Sequence, residues 1–517
     1  MSQTASDAGQ GQWAIVWRQF RRRKLAVLCA GVIVLLATIS IFAPFLANDR
    51  PLYYRGVNRF EFRESVRTLR EVVRRLAETP AAERDAAAHR DLIRAVDLQV
   101  RLMRPSLSAE PQATLDGLHA QIHAALEAGD ADALRTLRGT IQREFGGRDV
   151  PLVARSHWPV LAALHWGDAL FLTANLLLLT FPVWYRVLWR IIPARKPHRR
   201  NRATAAVWFG LPAAAAVLWW GLVPARIDQT NYKSGVLAAD PAAATAAVVY
   251  ETVMWPPIPY GLDEADLSRK LAKPAFFAEP NPEARPSSPW DQPHWLGTNG
   301  LGRDVLCRMI WGSRVSLSVG IVAVAIYVTI GIIVGAVAGY FRGVWDLIIS
   351  RIIEVVICFP AFFLILTIVA FLGPGIMNIM IVIGLTGWTG IARLIRGEFL
   401  RLVDQEFVLA GRALGYSPAR LIFKHILPNA MAPVLVSATF GVAGAILTES
   451  ALSFLGLGIT PPTPSWGEML SSGRDAMFHA PWLIWYPGLA IFITISSYNL
   501  VGEALRDASD PRLRGSR

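Results

Sequence analysis

Glu406-Phe-Val-Leu-Ala-Gly-Arg-Ala-Leu-Gly415-Tyr-Ser-Pro-Ala-Arg-Leu-Ile-Phe-Lys-His-Ile-Leu-Pro428 reads as two short helices joined by a turn, set between two long apolar runs. Ala410 and Gly411 are small residues on the first helical stretch, and Gly415 suits the left-handed conformation that ends a helix. Ser417 and Pro418 have the chemistry of an N-cap and a first helical position, and Leu427-Pro428 closes the second helix before the next apolar run. A charged hairpin in that position lies outside the hydrocarbon layer, where a partner can reach it.

The composition around the hairpin sets the class. Hydrophobic residues make up 53% and charged residues 18% of 517, with 18 Trp, which excludes an ordinary soluble enzyme and indicates a polytopic membrane protein. The net charge of +13 comes almost entirely from Arg beside apolar segments, so lipid phosphates rather than nucleic acid are the expected anionic partners. Cys29, Cys307 and Cys358 have the spacing of neither a disulfide framework nor a zinc site, and free buried thiols are expected.

About 20 apolar residues cross a hydrocarbon layer of ~30 Å. Eight segments qualify, at 25–45, 161–191, 204–223, 317–340, 347–372, 376–395, 430–454 and 482–501. The first follows Arg21-Arg-Arg-Lys24, and its length argues for a retained anchor over a cleaved signal. With the N-terminus inside, the short basic segments at 195–202, 393–424 and 506–517 all fall inside, as basic loops require. The expected plan is a cytoplasmic start at 1–24, a first span at 25–46, an external helical insertion at 47–160 and two extra spans at 161–223 around a basic cytoplasmic loop. An external loop with a lead-in helix follows at 224–312, then a five-span core at 313–505 carrying the cytoplasmic loop 404–428, and a cytoplasmic tail at 506–517.

In the insertion, Val66, Leu69, Val73, Leu76, Leu115, Leu118 and Ile122 recur at helical spacing, which predicts two or three amphipathic helices packing on themselves. His119 and His123 lie four apart, the spacing of metal ligands, but lack the glutamate of a zinc protease and read as a surface pair. No metal or cofactor site is expected. Residues 224–293, rich in Pro, Ala and Asp, predict an irregular loop.

His294-Trp-Leu-Gly-Thr-Asn-Gly-Leu-Gly-Arg-Asp-Val-Leu-Cys-Arg-Met-Ile-Trp-Gly-Ser-Arg-Val-Ser-Leu317 resembles the approach to the transport core in permeases of oligopeptide, dipeptide and nickel ABC importers. Gly297, Gly300 and Gly302 permit tight turns around Thr298, Arg303 and Asp304 are placed to pair at the membrane face, and Val305, Met309 and Ile310 form an amphipathic lead-in helix. Asn299 stands where that family usually has Asp. Gly339-Tyr-Phe-Arg-Gly343, Phe359-Pro360, Glu449-Ser-Ala-Leu-Ser-Phe-Leu-Gly-Leu-Gly458 and Ser465-Trp466-Gly467 resemble later parts of the same core. The 406–428 hairpin resembles its EAA loop, with Leu409 in place of the glutamate and Gly411 in place of the second alanine, a change expected to loosen the helix.

The resemblance implies an all-α type I importer permease that moves peptides or related solutes across a bacterial inner membrane. The family ordinarily has six spans, so the second and third here look inserted. It implies two cytoplasmic ATPase subunits docked on the hairpin, a second permease subunit enclosing the path, and an external substrate-binding protein. None of the six lysines follows a glycine, so no phosphate loop for ATP is expected and the chain is no enzyme. Glu354 and Glu449 cost ~2–4 kcal/mol each inside a bilayer unless paired, so both are expected to face the protein interior, lining the path or pairing with an arginine such as Arg351 or Arg393. The alternative function is a membrane-embedded sensor or scaffold with residues 52–155 as receptor. Oligopeptide, dipeptide, peptide antibiotic and nickel chelate all remain open as the solute.

Overall fold

The computed structural model describes residues 12–78, 86–147, 150–191, 202–222, 228–277 and 288–509. Residues 1–11, most of the basic loop at 195–202 and the tail from 510 onward, with Arg512, Arg514 and Arg517, lie outside the described residues. The chain divides into two compact units, one of Met1–Ala43, Leu262–Pro282 and Pro293–Arg517 and one of Pro44–Gly261 and Glu283–Gln292. The first opens with an amphipathic helix α1 (Gln12–Arg22), followed at Arg23 by the apolar α2 (Lys24–Ile41).

The second unit begins with strand β1 (Tyr53–Asn58) and four helices, α3 (Arg59–Glu78), α4 (Ala86–Met103), α5 (Ala109–Ala128) and α6 (Ala131–Phe145). Their apolar stripes close on one core: Phe62, Val66, Leu69, Val73 and Leu76 of α3 meet Val96 and Val100 of α4, Leu118 and Ile122 of α5, and Ile141 and Phe145 of α6. Four helices form where two or three are expected, because Gly129, at φ 66°, ends α5 and Asp130 caps α6 by accepting from the N–H groups of Asp132 and Ala133.

Strand β2 (Arg155–His157) returns to β1, and α7 (Trp166–Leu179), α8 (Phe181–Ile191) and α9 (Leu211–Leu222) follow. The expected span at 161–191 is bent by 75° between α7 and α8, where Pro182 supplies no N–H to continue the ladder. The region read as an irregular loop contributes β3 (Val236–Leu237) and β4 (Val248–Met254), completing a four-stranded sheet of order β2-β1-β4-β3. Gly56 of β1 sits at a register shift, where a Cβ would lie 2.0 Å from the Val249 carbonyl oxygen. The two ends of this unit's long segment, Pro44–Gly261, are stitched together: the Ile258 N–H donates to the Leu46 carbonyl at 3.0 Å, and the Asn48 N–H donates to the Ile258 carbonyl at 3.1 Å.

The first unit resumes with α10 (Val305–Phe341), α11 (Gly343–Cys358), α12 (Ala361–Leu372) and α13 (Ile376–Leu402), then α14 (Glu406–Ala413), α15 (Leu427–Phe454), α16 (Trp466–Gly473) and α17 (Trp482–Ser509). The lead-in helix at Val305, Met309 and Ile310 is continuous with the span that follows: these residues lie in the first turns of α10, which Asp304 caps. The expected span at 347–372 is bent by 81° between α11 and α12 at Phe359-Pro360. Among the described residues, six helices are long and apolar enough to cross a membrane, or up to eight if each bent pair is one span.

The centre of this unit is the α10–α13 contact. Gly331, Gly335 and Gly339 repeat every four residues on α10, and a Cβ on them would meet Ile391 Cβ at 2.6 Å, the Ala392 carbonyl oxygen at 2.5 Å and Phe399 Cβ at 2.5 Å. Small residues at this spacing let two helices approach to backbone contact, the usual source of packing energy in lipid. Of the cysteines, Cys29 and Cys307 are buried as expected, whereas Cys358 is exposed at the end of α11.

Candidate coupling hairpin and external clamp

α14 starts at Glu406, whose carboxylate suits the positive end of a helix, and ends in the turn expected of it. Gly415 has φ 75°, the Tyr416 N–H donates to the Gly411 carbonyl at 3.0 Å, and the Gly415 N–H donates to that of Arg412 at 2.9 Å. Ser417 Oγ then accepts from the Arg420 N–H, with Pro418 in the first turn. Pro428 does not close the second arm. Residues Leu421–Ile426 adopt a π-helical turn, so the register absorbs the missing Pro428 N–H, and Asn429 Nδ2 donates to the His425 carbonyl at 2.7 Å. One helical path therefore runs from Pro418 to Phe454.

Gly411 faces the second arm of the hairpin. It is buried, and a Cβ there would lie 2.8 Å from Leu421 Cδ2 and 3.3 Å from Tyr416 Cδ2, so an alanine would require the Leu421 side chain to shift. Val408, Leu421 and Ile426 are buried beneath it. Tyr416 stacks on His425 at 5.7 Å, and the Arg420 guanidinium lies 5.0 Å from the Tyr416 ring centre. The base is fixed by Arg342, which donates to the Leu400 carbonyl at 3.1 Å and to Asp404 Oδ2 at 2.6 Å, and by Arg412 over the Tyr340 ring at 5.6 Å. On the outer side Glu406, Ala410, Gly415, Ser417, Pro418 and Pro428 are exposed and Leu427 is half-buried. Phe407, Leu409 and Leu414 are exposed too, Leu414 by 71%.

The other end of α10 is clamped by a polar cluster. Gly297 and Gly302 take φ 77° and 72°, and a Cβ on Gly302 would lie 1.7 Å from the Asp266 carbonyl oxygen. Between them Thr298 is fully buried, accepting from the Ala272 N–H at 2.8 Å and donating to the Arg269 carbonyl. Asn299 Oδ1 accepts from the N–H groups of Leu301 and Arg303, both at 3.0 Å, a task an aspartate would do equally well. Arg303 and Asp304 do not pair. Asp304 spends Oδ1 on capping the Cys307 N–H at 2.7 Å and Oδ2 on His294 Nδ1 at 2.8 Å, while Arg303 Nε is buried without a hydrogen-bond partner.

The pairing that does form is Arg308 with Glu468 at 2.9 Å, the side chains 3% and 4% exposed. Sequence reasoning missed it because 160 residues separate the partners. Beside it Trp466 donates from Nε1 to the Met309 carbonyl at 3.1 Å and from its N–H to Ser316 Oγ at 3.1 Å.

The two singled-out glutamates separate. Glu449 is fully buried, and Oε1 accepts from Ser453 Oγ and Ser465 Oγ, each at 2.8 Å, so it ties α15 to the segment entering α16. Glu354 does not face the interior. Ile353 is the buried residue of that turn, whereas Glu354 is exposed and pairs with Arg351 at 2.7 Å on the outer surface of α11. Arg393 is not its partner among the described contacts; farther along α13, Arg396 is held by Asp346 and Arg401 by Glu398.

Comparison with known proteins gives the family. Residues 331–515 match the family described as "Binding-protein-dependent transport system inner membrane component", and residues 11–59 match "N-terminal TM domain of oligopeptide transport permease C". The dipeptide transport system permease DppC of Alkalihalophilus pseudofirmus is 42% identical over 238 residues, covering 46% of this chain and 78% of that protein. The oligopeptide permease OppC of Bacillus subtilis is 42% identical over 226 residues, 44% of this chain and 74% of its own length. The glutathione permease GsiD of Escherichia coli is 42% identical over 222 residues, 43% and 73%. Among solved structures, the MetNI methionine ABC transporter in an inward-facing conformation aligns over 39% of this chain and 95% of its own, with 18% identity and a TM-score of 0.33. The chain belongs to the inner-membrane permease components of binding-protein-dependent transport systems, in the oligopeptide and dipeptide branch. It is a membrane component of an ABC transport system, and the relatives it matches are transport permeases rather than sensors or scaffolds.

Proposed function

We propose that the 406–428 hairpin is where this permease takes up motion from two cytoplasmic ATPase subunits. The observation that carries this is the two-sided character of α14: Val408 and Gly411 are locked inward, while Phe407, Leu409, Ala410 and Leu414 present an apolar surface outside the spans. Such a surface on a polar-flanked element fits a cleft in a partner. Because the second arm continues unbroken to Phe454, a push on the hairpin tilts a whole spanning helix as a rigid body. Nucleotide chemistry is left to the partner, since no lysine of this chain follows a glycine.

A second permease subunit is supported by α11 and α12. They expose Phe359, Phe363 and Phe371 together with the Arg351–Glu354 pair, and ions facing lipid cost several kcal/mol, whereas a protein face or a wet path tolerates them. The N-terminus and the hairpin are read as cytoplasmic, and the insertion and the clamp around Thr298, Arg303 and Asp304 as external, where an external binding protein delivers solute. Glu449 holds the external loop in place. Co-purification with the cognate ATPase subunits tests the hairpin: Gly415→Asp and Leu414→Glu should each abolish association and uptake. Full association and uptake in both variants would overturn the assignment.

A further inference from the structure

α4 and α5 bring three ligating atoms together on a flank of the insertion that the transport reading does not use. His119 and His123, one turn apart on α5, both direct Nε2 at Oδ1 of Asp97 on α4, at 2.8 and 2.9 Å. The two Nε2 atoms lie 3.2 Å apart, with the rings nearly perpendicular at 83°. The side chains are 33%, 35% and 40% exposed, so solvent reaches the cluster from one side.

Protons alone do not satisfy this arrangement. If both imidazoles are protonated on Nε2, Asp97 accepts twice but two N–H donors face each other at 3.2 Å. If either ring carries its proton on Nδ1 only, an Nε2 lone pair confronts the carboxylate. A cation placed among the three atoms turns every lone pair toward positive charge. Bonds of about 2.0–2.1 Å in a tetrahedron separate ligand atoms by roughly 3.3–3.4 Å, so movements of a few tenths of an ångström open the site.

We propose that Asp97, His119 and His123 bind a divalent transition metal ion, with water completing the coordination. Two imidazoles and one carboxylate suit zinc, nickel, cobalt or copper and not magnesium or calcium. Bound metal pins α4 to α5 and so stabilises the helical insertion in proportion to metal occupancy.

The test uses the full-length chain in detergent, with any affinity tag removed and zinc chloride as the probe. Equilibrium dialysis and elemental analysis should find a zinc ion held by the parent chain and lost from His119→Ala/His123→Ala, with the affinity of Asp97→Asn weakened about tenfold or more. Cobalt chloride gives a second reading, a visible d–d absorption in the parent chain that is absent from the double variant. Far-UV circular dichroism of the variants should match the parent, since all three side chains are partly exposed. Equal zinc uptake by the parent chain and the double variant, or a cobalt band that survives the substitutions, overturns the site.

Discussion

Replacing Arg308 alone should damage this permease more than replacing both members of its ion pair. The Arg308 guanidinium and the Glu468 carboxylate stand 2.9 Å apart with almost no access to water. At an effective dielectric constant of 20 their attraction is roughly 6 kcal/mol, most of it offset by the loss of hydration on both sides. Arg308→Met removes the attraction but leaves Glu468 buried, with Ser472 Oγ as its remaining side-chain donor, and should cost about 3–5 kcal/mol. Glu468→Met strands the guanidinium in the same way. The double variant Arg308→Met/Glu468→Met replaces the pair by apolar side chains of similar volume and should return to within about 2 kcal/mol of the parent. At about 2–4 °C per kcal/mol, each single variant should melt roughly 6–20 °C lower and the double variant much less. Tryptophan fluorescence of the purified chain during heating reads this directly, as a double-mutant cycle. Additive single effects below about 1 kcal/mol would refute the claim that a desolvated pair clamps α16 to α10.

Gly335→Leu forces side-chain atoms into the Ala392 carbonyl and Ile395, and should cost about 1–3 kcal/mol or abolish assembly, whereas Gly390→Ala, which meets nothing within 4 Å, should be neutral in the same melting assay. Burial, with Arg155 adding to it, pushes the His157 imidazole down to about 4, and the ring stacks on Tyr54 at 4.7 Å. The unfolded chain therefore binds a proton that the folded chain refuses. Stability is complete above the unfolded value of 6.5, falls by about 2–3 kcal/mol as pH drops to 4.5, and should become less pH-dependent in His157→Phe, as melting at pH 7 and pH 4.5 will show. Glu449→Gln should lower the melting midpoint while uptake per folded molecule is unchanged; a selective loss of uptake would refute its role as a tie between α15 and α16.

What was legible in advance was local. Gly415, Ser417 and Pro418 announce the hairpin turn because backbone angle, cap hydrogen bond and fixed φ belong to single residues. Span lengths follow from runs of apolar residues. The bends next to Pro182 and Pro360 carried a signal, but continuous hydrophobicity on both sides masked it. Pro428 misled in the opposite sense, since a π-helical turn accommodates a proline that would end an α-helix. Contacts between distant positions had no sequence signature: Arg308 finds Glu468 and Asp97 finds His119 only after the chain has folded. Arg303 and Asp304, adjacent in sequence, looked like a pair until His294 and the start of α10 claimed both carboxylate oxygens.

The hydrogen bonds that join Leu46 and Asn48 to Ile258 bring the two ends of the Pro44–Gly261 segment to one place. A segment that closes on itself in this way gives its flanking residues two neighbouring points of attachment, so its length and its chemistry can vary without changing the distance its ends must span.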